Sequence, residues 1–593
     1  MGIIVFGSGN LESGGMMLEN KLSVARGNTK ADLVLKNANV VNVFTQAIER
    51  LDVAICEGTI VGLGEYSGNI EINCEGQYVV PGFIDGHIHL ESSMLKPVEF
   101  AKAVLPHGTT AVITDPHEIT NVCGIKGLEY MLKASKDLPL DVYFMLPSCV
   151  PSTSFDENGQ IVRAADIEEF YNQERVLGLA EVMDYIGTIQ GDEDLLHKIA
   201  FAKLHHRVVD GHAPGITGKQ ACAYITAGIE SDHECINLEE AKEKYARGQW
   251  IMIREGSAAK NLDALMGLFQ PPYHQRSMLV TDDKHPYDLL AQGHIDGILR
   301  QAIKNGADPC IAIKMATINP ATYFQLRNTG AIAPGYKADI VILSDLTEIK
   351  IDKVIKNGIL VTGDNQMQAM VEPEIELEIL NKVYHSFHCE ALQAEAFNLK
   401  PTQVPSTSDS FRVISLLKGE IFTKEMILPL NGQIPTISVE KDVLKLAVIE
   451  RHHNTGHIGV GFVHGYGLKK GAIASSVAHD SHNMIAVGTN NEDLAIAANC
   501  IREMQGGWAI AENGKIIAKL ALPIAGLMSD LDAKTLASKI NELLAVAREL
   551  GVAEGIDPFL TLAFASLPVI PELRLITTGL FDVKAQKLVS VII

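Results

Sequence analysis

The sequence predicts an α/β fold: a (β/α)8 TIM-like barrel, a small β-sandwich built from both sides of the barrel, and a C-terminal α+β domain. Three observations support this prediction. Between residues 81 and 329, eight apolar runs each end in polar residues and are separated by stretches with helix signals. Short β-rich runs with Gly and Pro turns flank that segment on both sides. Strands and helices resume from residue 411.

The domain boundaries follow from where these runs begin and end. We expect a lead-in over residues 1–31, a small β domain of residues 32–80 with 330–365, the barrel over 81–329, a linker region over 366–410 and the C-terminal domain over 411–593. The first flank predicts strands of a small antiparallel sheet, which the second flank completes. Ser, Thr and Pro enrichment at Ser406–Ser410 is typical of a boundary. Gly7 and Gly9 do not have the spacing of a nucleotide loop, so this lead-in is expected to be flexible.

Three helices have signals of their own. Asn237 with Glu240 is a capping-box variant and predicts a helix over Ala241–Arg247. Asp192–Leu204 opens with acidic residues, which suit a helix N-terminus, and its apolar residues recur at roughly helical spacing. Ala533–Leu550 is the clearest amphipathic helix of the C-terminal segment.

Composition excludes several classes of protein. The chain has 593 residues, 47% hydrophobic and 21% charged, which is ordinary for a globular protein of several domains. Its net charge of −22 disfavours nucleic acid as a partner, whereas a neutral or cationic small molecule stays compatible. Nine scattered cysteines without a C-x-x-C pair indicate reduced thiols in the cytoplasm. No signal peptide and no apolar run near the ~20 residues that span a bilayer is found, so no membrane association is expected.

Residues with metal-binding chemistry stand at the ends of five of the eight predicted strands. His87 and His89 close the first strand, and its period of two puts both imidazoles on one face. A lone H-x-H pair is more often structural. In a (β/α)8 barrel, however, the catalytic groups meet at the carboxyl ends of the strands, so residues from several strands are expected to converge. The predicted metal ligands are His87, His89, Glu181, His212, His233 and Asp282.

This set of nitrogen and oxygen donors without thiolate suits two divalent ions, such as manganese, iron or zinc, and does not choose among them. Glu181 is a candidate carboxylate bridge between the ions. A water bound to such an ion becomes hydroxide near neutral pH, and a neighbouring carboxylate can carry its proton. We predict Asp282 for that role and Glu234 as the next candidate. For Glu234, a surface or capping role is equally open.

Further polar residues are predicted to face the same end of the barrel. They could hold substrate, support the metal ligands or simply shape loops. In the C-terminal domain, the segment His479–Asn483 has the composition of a site fragment, although a structural loop is at least as consistent with it. The candidate substrate-binding residues are Glu91, Asp115, His117, Glu118, Arg254, Glu255, His479, Asp480 and His482.

The segments Pro81–His89 and Gly330–Asp339 resemble those of the amidohydrolase superfamily. More narrowly, the chain resembles the bacterial adenine deaminase family from about residue 23 to its C-terminus, including a terminal domain that most amidohydrolases lack. The segments that carry this narrower resemblance are His89–Met94, Thr114–Ile119, Gly178–Tyr185, Asp210–Gly215, Met252–Ala259, Thr281–Asp283 and Ala478–Asn483.

The resemblance implies hydrolysis of adenine to hypoxanthine and ammonia, with attack on the ring carbon that bears the amine. It implies two ions, Mn²⁺ or Fe²⁺ with Zn²⁺ as a further option, and a homo-oligomer. Many superfamily members bridge their metals with a carbamylated lysine, where this chain offers Glu181. The chain also lacks a Glu shortly after His212, which some other deaminases use to protonate the ring, so that role must be reassigned.

Two alternatives stay open at this point. The same barrel could hydrolyse a cyclic amide or an N-acyl group. It could also be a catalytically inactive binding or scaffold protein, although the complete predicted ligand set argues against that. Release of ammonia from adenine, but not from adenosine, by the metal-loaded protein would separate deamination from both alternatives.

Overall fold

The computed structural model describes residues 8–257, 259–363, 366–399, 409–430 and 434–593. Gly7, Ala258 and the first residues of the predicted boundary at Ser406–Ser410 lie outside these ranges. The first described element is helix α1 (Ser8–Ala25), so the predicted flexible lead-in is wrong from Ser8 onward. Val24, near the helix end, is buried in a small apolar cluster with residues of the following sheet, which holds the helix against the fold.

The first flank of the barrel forms five strands, where the sequence predicted short runs. Two of these runs, around Leu33 and Val40, are one long strand with a register shift between Leu35 and Ala38. The strands are β1 (Ala31–Asn42), β2 (Ala47–Cys56), β3 (Thr59–Gly64), β4 (Gly68–Asn73) and β5 (Tyr78–Pro81).

Eight parallel strands follow and form the predicted barrel. Five of them make one continuous sheet in the order β10-β9-β8-β7-β6, and the other three make the sheet β11-β12-β13. The Glu230 amide donates to Val209 O at 2.9 Å between β10 and β11, and the Asp282 amide donates to His87 O at 2.9 Å beside β6, which closes the ring. The strands are β6 (Phe83–Ile88), β7 (Thr109–Thr114), β8 (Asp141–Leu146), β9 (Val176–Val182), β10 (Val208–Gly211), β11 (Ser231–Asp232), β12 (Trp250–Arg254) and β13 (Ser277–Val280).

Helices connect the barrel strands and continue after the last one. Two predicted helices are confirmed with their caps: the Asp192 side chain accepts from Leu195 N, and the Asn237 side chain accepts from Glu240 N. The helices are α2 (Pro97–Val104), α3 (His117–Cys123), α4 (Ile125–Ala134), α5 (Ala164–Ile167), α6 (Tyr185–Gln190), α7 (Glu193–Leu204), α8 (Gly218–Ala227), α9 (Leu238–Ala246), α10 (Leu262–Leu265), α11 (Pro286–Gln292), α12 (Ile295–Lys304), α13 (Pro309–Met315) and α14 (Ile318–Tyr323). Short 3₁₀ helices lie at Leu90–Ser93, Leu105–His107, Glu168–Asn172, Met266–Phe269 and Tyr273–Arg276.

The chain then returns to the small β domain. Its strands are β14 (Ile340–Asp345), β15 (Lys350–Lys356), β16 (Ile359–Gly363) and β17 (Gln366–Met367). Together with the first flank they form one nine-stranded sheet in the order β17-β16-β15-β14-β5-β1-β2-β3, with β4 paired to β1. The sheet is therefore built from both sides of the barrel, as predicted. It is not purely antiparallel, because β1 pairs in parallel with β4 and β5.

The segment predicted as a linker contains structure. Helix α15 (Leu377–Tyr384) buries Ile379 and Val383, and a 3₁₀ helix at Ala394–Phe397 buries Phe397. These apolar side chains pack into the cores of the neighbouring domains, so this part of the chain is fixed against them over its described residues.

The C-terminal domain combines an eight-stranded sheet, ordered β19-β18-β21-β20-β23-β22-β24-β25, with a three-stranded sheet and three helices. The predicted amphipathic helix is confirmed as α17, which buries Leu536, Ile540 and Leu543. The elements are β18 (Ser410–Leu416), β19 (Thr423–Pro429), a 3₁₀ helix at Val439–Lys441, β20 (Val443–Ile449), β21 (Ile458–His464), β22 (Ala472–Ser475), β23 (Met484–Gly488), α16 (Asn491–Met504), β24 (Gly507–Glu512), β25 (Lys515–Ala521), α17 (Ala533–Glu549), α18 (Leu560–Ala565), β26 (Leu573–Ile576), β27 (Gly579–Asp582) and β28 (Lys587–Val589). No helix within the described ranges has both the length and the apolar character needed to cross a bilayer.

Candidate metal centre

The six predicted metal ligands lie at the carboxyl end of the barrel strands. His87 is in β6 and Glu181 is in β9, while the other four follow the ends of β6, β10, β11 and β13. Parallel strands present their carboxyl ends at one face of the barrel, which is why residues nearly 200 positions apart meet there. Five of the six side chains are buried, and His212 is partly buried.

The Glu181 carboxylate lies between two pairs of histidines. Its Oε1 is 3.1 Å from His89 Nε2 and 3.8 Å from His87 Nε2. Its Oε2 is 2.8 Å from His212 Nδ1 and 3.1 Å from His233 Nε2. Each oxygen therefore faces its own pair of imidazoles, which is the arrangement that a carboxylate bridging two cations requires.

Asp282 completes the side of the site that holds the first histidine pair. Its Oδ1 lies 3.0 Å from His89 Nε2 and 3.5 Å from His87 Nε2, while its Oδ2 accepts from Arg254 Nη1 at 2.8 Å. Arg254 also forms a two-pronged ion pair with Glu234, in which Nη2 and Oε2 are 3.0 Å apart. Arg254, predicted to bind substrate, lines the cavity described below, and its contacts also hold these two carboxylates in place.

These residues fit a metal. Within the part of the chain that the structure describes, His87 Nε2 is buried without a hydrogen-bond partner and faces Asp282 and Glu181. Burying such an atom costs free energy unless it binds a ligand. The Nδ1–H group of His89 donates a hydrogen bond to Asp115 O at 3.1 Å. This contact fixes the tautomer in which Nε2 carries no proton and can bind a metal. Sets of possible ligand atoms lying within 4.8 Å of one another include His87, His233 and Asp282, and also Glu181, His212 and His233.

Mutual charge controls the pKa values in this centre. Burial raises the pKa of Asp282, but the Arg254 charge and the neighbouring histidines outweigh it and hold the pKa well below the usual range. Burial is likewise outweighed at Glu181, whose pKa lies well below normal because of His233 and its other histidine neighbours. Burial lowers the pKa of His212, yet the charges of Glu234 and Glu181 raise it to about 9. The carboxylates are therefore ionised at neutral pH and able to bind cations.

Asp115 and His117 lie beside this centre. His117 Nδ1 is 2.8 Å from Asp115 Oδ2 and 3.8 Å from Glu181 Oε1. Both were predicted as substrate-binding residues, and the structure brings their ligand atoms within 4.8 Å of those of His89 and Glu181. Both are therefore placed to support the metal ligands, and His117 also lines the cavity described below.

Glu118 joins the barrel to the C-terminal domain. Its Oε1 is 2.7 Å from His479 Nδ1, and its Oε2 contacts His482 Nε2. The Ala478 amide donates to His482 Nδ1 at 3.2 Å, so His482 is the neutral tautomer that donates through Nε2. Burial lowers the pKa of His479, but the Glu118 charge raises it to about 9, whereas burial lowers that of His482 to about 4. One charged and one neutral histidine thus share the carboxylate.

A cavity of about 460 Å³ lies between the metal centre and the C-terminal domain. Its floor includes the predicted metal ligands other than His87, and Asp480 also lines it. Its opposite side, here called the roof, consists mainly of Ile421, Phe422, Phe564, Leu567, Val569, Ile570 and Pro571. A polar floor under an apolar roof is the usual composition of a pocket for a small molecule.

Four predicted substrate-binding residues do not line this cavity: Glu91, Asp115, Glu255 and His482. The Glu255 carboxylate, which directly follows the seventh strand, accepts from the Leu262 amide at 3.3 Å. The Glu91 carboxylate accepts from the Ile119 amide at 3.2 Å and borders a narrow apolar cleft with Trp508. Burial raises the pKa of Glu91 to about 7.

Two supporting residues were missed from the sequence. The Lys244 ammonium is buried and donates to Asp232 Oδ2 at 2.9 Å and to Ala213 O at 2.7 Å, so it ties together the loops that carry His212 and His233. The buried Arg574 guanidinium donates to the carbonyls of the roof residues Ile421, Phe564, Ile570 and Pro571, at 2.7–3.1 Å. A buried lysine or arginine in such a contact cannot be told from an exposed one by sequence pattern.

The barrel with histidines and carboxylates at the carboxyl ends of its strands defines a metal-dependent hydrolase of the amidohydrolase class, and residues 78–361 match the amidohydrolase family. Residues 420–587 match the adenine deaminase C-terminal domain. The chain belongs to the adenine deaminase family, as its sequence motifs predicted.

Relatives from three bacteria show how far the similarity extends. The chain is 46% identical to adenine deaminase 2 of Carboxydothermus hydrogenoformans, over 97% of this chain and 99% of the relative. It is 46% identical to adenine deaminase of Clostridium acetobutylicum, over 95% of this chain and 98% of the relative. It is 47% identical to adenine deaminase of Kosmotoga olearia, over 96% of this chain and 98% of the relative. Both the barrel and the C-terminal domain are therefore shared.

Two solved structures are similar to part of the chain. β-Aspartyl dipeptidase of Fervidobacterium islandicum is 17% identical with a TM-score of 0.44, covering 58% of this chain and 99% of that one. L-hydantoinase of Arthrobacter aurescens is 14% identical with a TM-score of 0.43, covering 58% of this chain and 98% of that one.

Proposed function

We propose that the protein hydrolyses adenine to hypoxanthine and ammonia. The observation that carries this proposal is the Glu181 carboxylate with a histidine pair on each oxygen, at the floor of the cavity. Relatives that share 46–47% identity over nearly the whole chain are named adenine deaminase, which favours adenine as the substrate.

The predicted ligand set would hold two divalent ions, one beside His87, His89 and Asp282 and the other beside His212 and His233, with Glu181 between them. We propose Mn²⁺ or Fe²⁺, with Zn²⁺ as a further option, because the donors are nitrogen and oxygen only. When bound, such ions lower the pKa of water and so supply a hydroxide nucleophile near neutral pH.

The protein's own groups would position and move protons. Asp282 is proposed to take a proton from the attacking water, since its second oxygen is held by Arg254 and its first faces His89. Glu234 is the second candidate, but its two-pronged pair with Arg254 leaves it less free to accept a proton. The Arg254 clamp would keep both carboxylates ionised and oriented between turnovers.

The cavity suits a flat, mostly neutral base. Phe422 and Phe564 in the roof offer apolar surface to the faces of a purine, and the floor offers hydrogen-bonding groups to its polar edge. The roof would also exclude bulk water from the reacting carbon, which strengthens the electrostatic interactions in the site.

The test is ammonia release by protein loaded with manganese, iron or zinc. We expect release from adenine and much less from adenosine, with hypoxanthine formed in equal amount. Hydrolysis of a cyclic amide such as dihydrouracil, without turnover of adenine, would favour the alternative hydrolase activity. Nothing in the described structure specifically favours that alternative. No turnover of either substrate with any of the three metals would overturn the proposal.

Three further proposals follow from the sequence. We propose a cytoplasmic location, supported by nine cysteines that are all free. We propose adenine as the ligand with no nucleic-acid partner, supported by the net charge of −22. We also propose a homo-oligomer, which light scattering of the purified protein would test.

A further inference from the structure

The reaction needs a group that gives a proton to the purine ring, and among the described residues the barrel carboxylates that line the cavity are paired with other side chains. When hydroxide adds to C6, the electron pair of the C6–N1 double bond moves to N1, and that nitrogen must be protonated for the addition to proceed. The group must therefore line the cavity and must not be committed to another partner.

Most carboxylates that line the cavity are already paired. Glu118 holds His479 and His482, Glu181 holds the ligand histidines, and Glu234 and Asp282 share Arg254. Asp283 accepts from Ser92 Oγ at 2.5 Å, and Glu420 is exposed to solvent. The remaining lining carboxylate is Asp480, from the C-terminal domain.

The Asp480 side chain is only 4% exposed, yet its Oδ2 has no hydrogen-bond partner among the described residues. Burying a carboxylate oxygen without a hydrogen-bond partner costs free energy. Because this oxygen lies at the wall of a ligand cavity, we infer that a bound ligand supplies the missing hydrogen bond. The other carboxylates with such an oxygen do not line this cavity; they are Glu91, Asp156 and Asp210.

The backbone around Asp480 is fixed. The His479 amide donates to Ala563 O at 2.9 Å, and Arg451 Nε donates to His482 O at 2.5 Å. Asn483 Nδ2 donates to Glu157 O at 2.6 Å, which anchors the end of the segment to the loop after the third barrel strand. The carboxylate is thus presented to the cavity by a rigid support, as a catalytic group requires.

We propose that Asp480 is the acid that protonates the purine ring, so that the C-terminal domain contributes a catalytic residue to the barrel. This assignment rests on the proposed function. Water gives one proton to Asp282, its oxygen bonds to C6, and Asp480 gives its proton to N1. The amine then takes the proton held by Asp282, the C6–N bond breaks and ammonia leaves. The C6 hydroxyl returns a proton to Asp480 as the carbonyl forms, which leaves hypoxanthine and both carboxylates in their starting states.

Asp156 is a second buried carboxylate, and the charge of Asp480 acts on it. Burial and then the Asp480 charge raise the pKa of Asp156 well above its usual range, while burial raises that of Asp480 to about 6. Glu118 and Glu181 act on Asp480 in the same direction, and His117 and His479 act against them. Burial and the nearby charges of Glu118 and Glu181 therefore favour the protonated form of Asp480 more than in an ordinary aspartate, which suits a proton donor.

The test compares Asp480→Asn with Asp156→Asn in metal-loaded, full-length protein, after wild type has been shown to release ammonia from adenine. Asp480→Asn should lower kcat by about 10²–10⁴-fold with a small change in KM, because the acid acts on the transition state. Its metal content and melting temperature should match wild type. Asp156→Asn is the matched control: it also removes a buried carboxyl group, but one that does not line the cavity, so its kcat should stay within about threefold of wild type.

An inactive wild type would overturn the proposed function rather than this assignment. Active wild type with an Asp480→Asn kcat within threefold of it would overturn the role of Asp480. If Asp480→Asn does not fold, Asp480→Ser is measured in its place, and a kcat within threefold of wild type would overturn the assignment. A purely structural role of this segment would instead be shown by an Asp156→Asn loss of kcat as large as that of the Asp480 variant.

Discussion

The ion pair between Glu118 and His479 should carry much of the attachment between the barrel and the C-terminal domain. In Glu118→Gln, His479 loses the charge that raises its pKa from the ordinary value of about 6.5 to about 9. A difference of about 2.5 pKa units corresponds to about 3 kcal/mol, at 1.36 kcal/mol per unit. We take this as an upper value, because Gln keeps one hydrogen bond.

The direction in which stability changes with pH follows from the pKa shifts of His479 and Glu118. The raised pKa of His479 contributes stability that is fully present below about pH 6.5 and is lost as the pH rises through about 9. The pKa of Glu118 is lowered, since the histidine charges outweigh its burial, so its contribution is present above about pH 4.3 and is lost on acidification. The variant should therefore differ most from wild type between about pH 4.3 and 6.5.

Scanning calorimetry at pH 6 and at pH 9.5 measures this effect. For a unit the size of the C-terminal domain, 3 kcal/mol lowers the melting temperature by roughly 6–12 °C at pH 6, and the difference should shrink at pH 9.5. Glu572→Gln is the matched control: it breaks an exposed pair with Lys584, 2.6 Å apart, and should shift melting by at most a few degrees. A Glu118→Gln transition within 1 °C of wild type at pH 6 would refute the reasoning.

Three other substitutions test the site. Asp282→Asn should abolish adenine turnover while far-ultraviolet circular dichroism stays unchanged, because a charge is removed with almost no change in volume; near-normal turnover would show that another group is the base. Glu255→Gln should leave kcat within about twofold, since that carboxylate contacts the Leu262 amide and not the cavity, and a tenfold loss would place it in the site. Lys244→Met should weaken metal binding by roughly 10–100-fold in chelator competition, because it loosens the loops that carry two ligand histidines; unchanged affinity would contradict that role.

The barrel and its strand-end residues could be predicted because each depends on local pattern. An apolar run predicts a strand, the polar residues after it mark the strand end, and parallel topology then brings all such ends to one face. His87, Glu181 and Asp282 are neighbours for this reason, although they are far apart in the chain. Chain position alone was enough to expect this convergence.

Contacts between domains could not be predicted in the same way. Glu118 and His479 are separated by 361 residues, and no periodicity links them. The pairing of Arg254 with two carboxylates depends on side-chain direction, which the sequence pattern does not give. The same limit applies to Glu255, whose carboxylate contacts the Leu262 amide and does not line the cavity.

The central claim is that two cations share the Glu181 carboxylate and together activate water for deamination of adenine. Titrating metal-free protein with Mn²⁺ while measuring ammonia release tests this most directly. We expect release to rise until two ions are bound per chain, and Glu181→Gln to bind fewer than two and release little ammonia. Full activity at one ion per chain, or unchanged binding of two ions by Glu181→Gln, would contradict the claim.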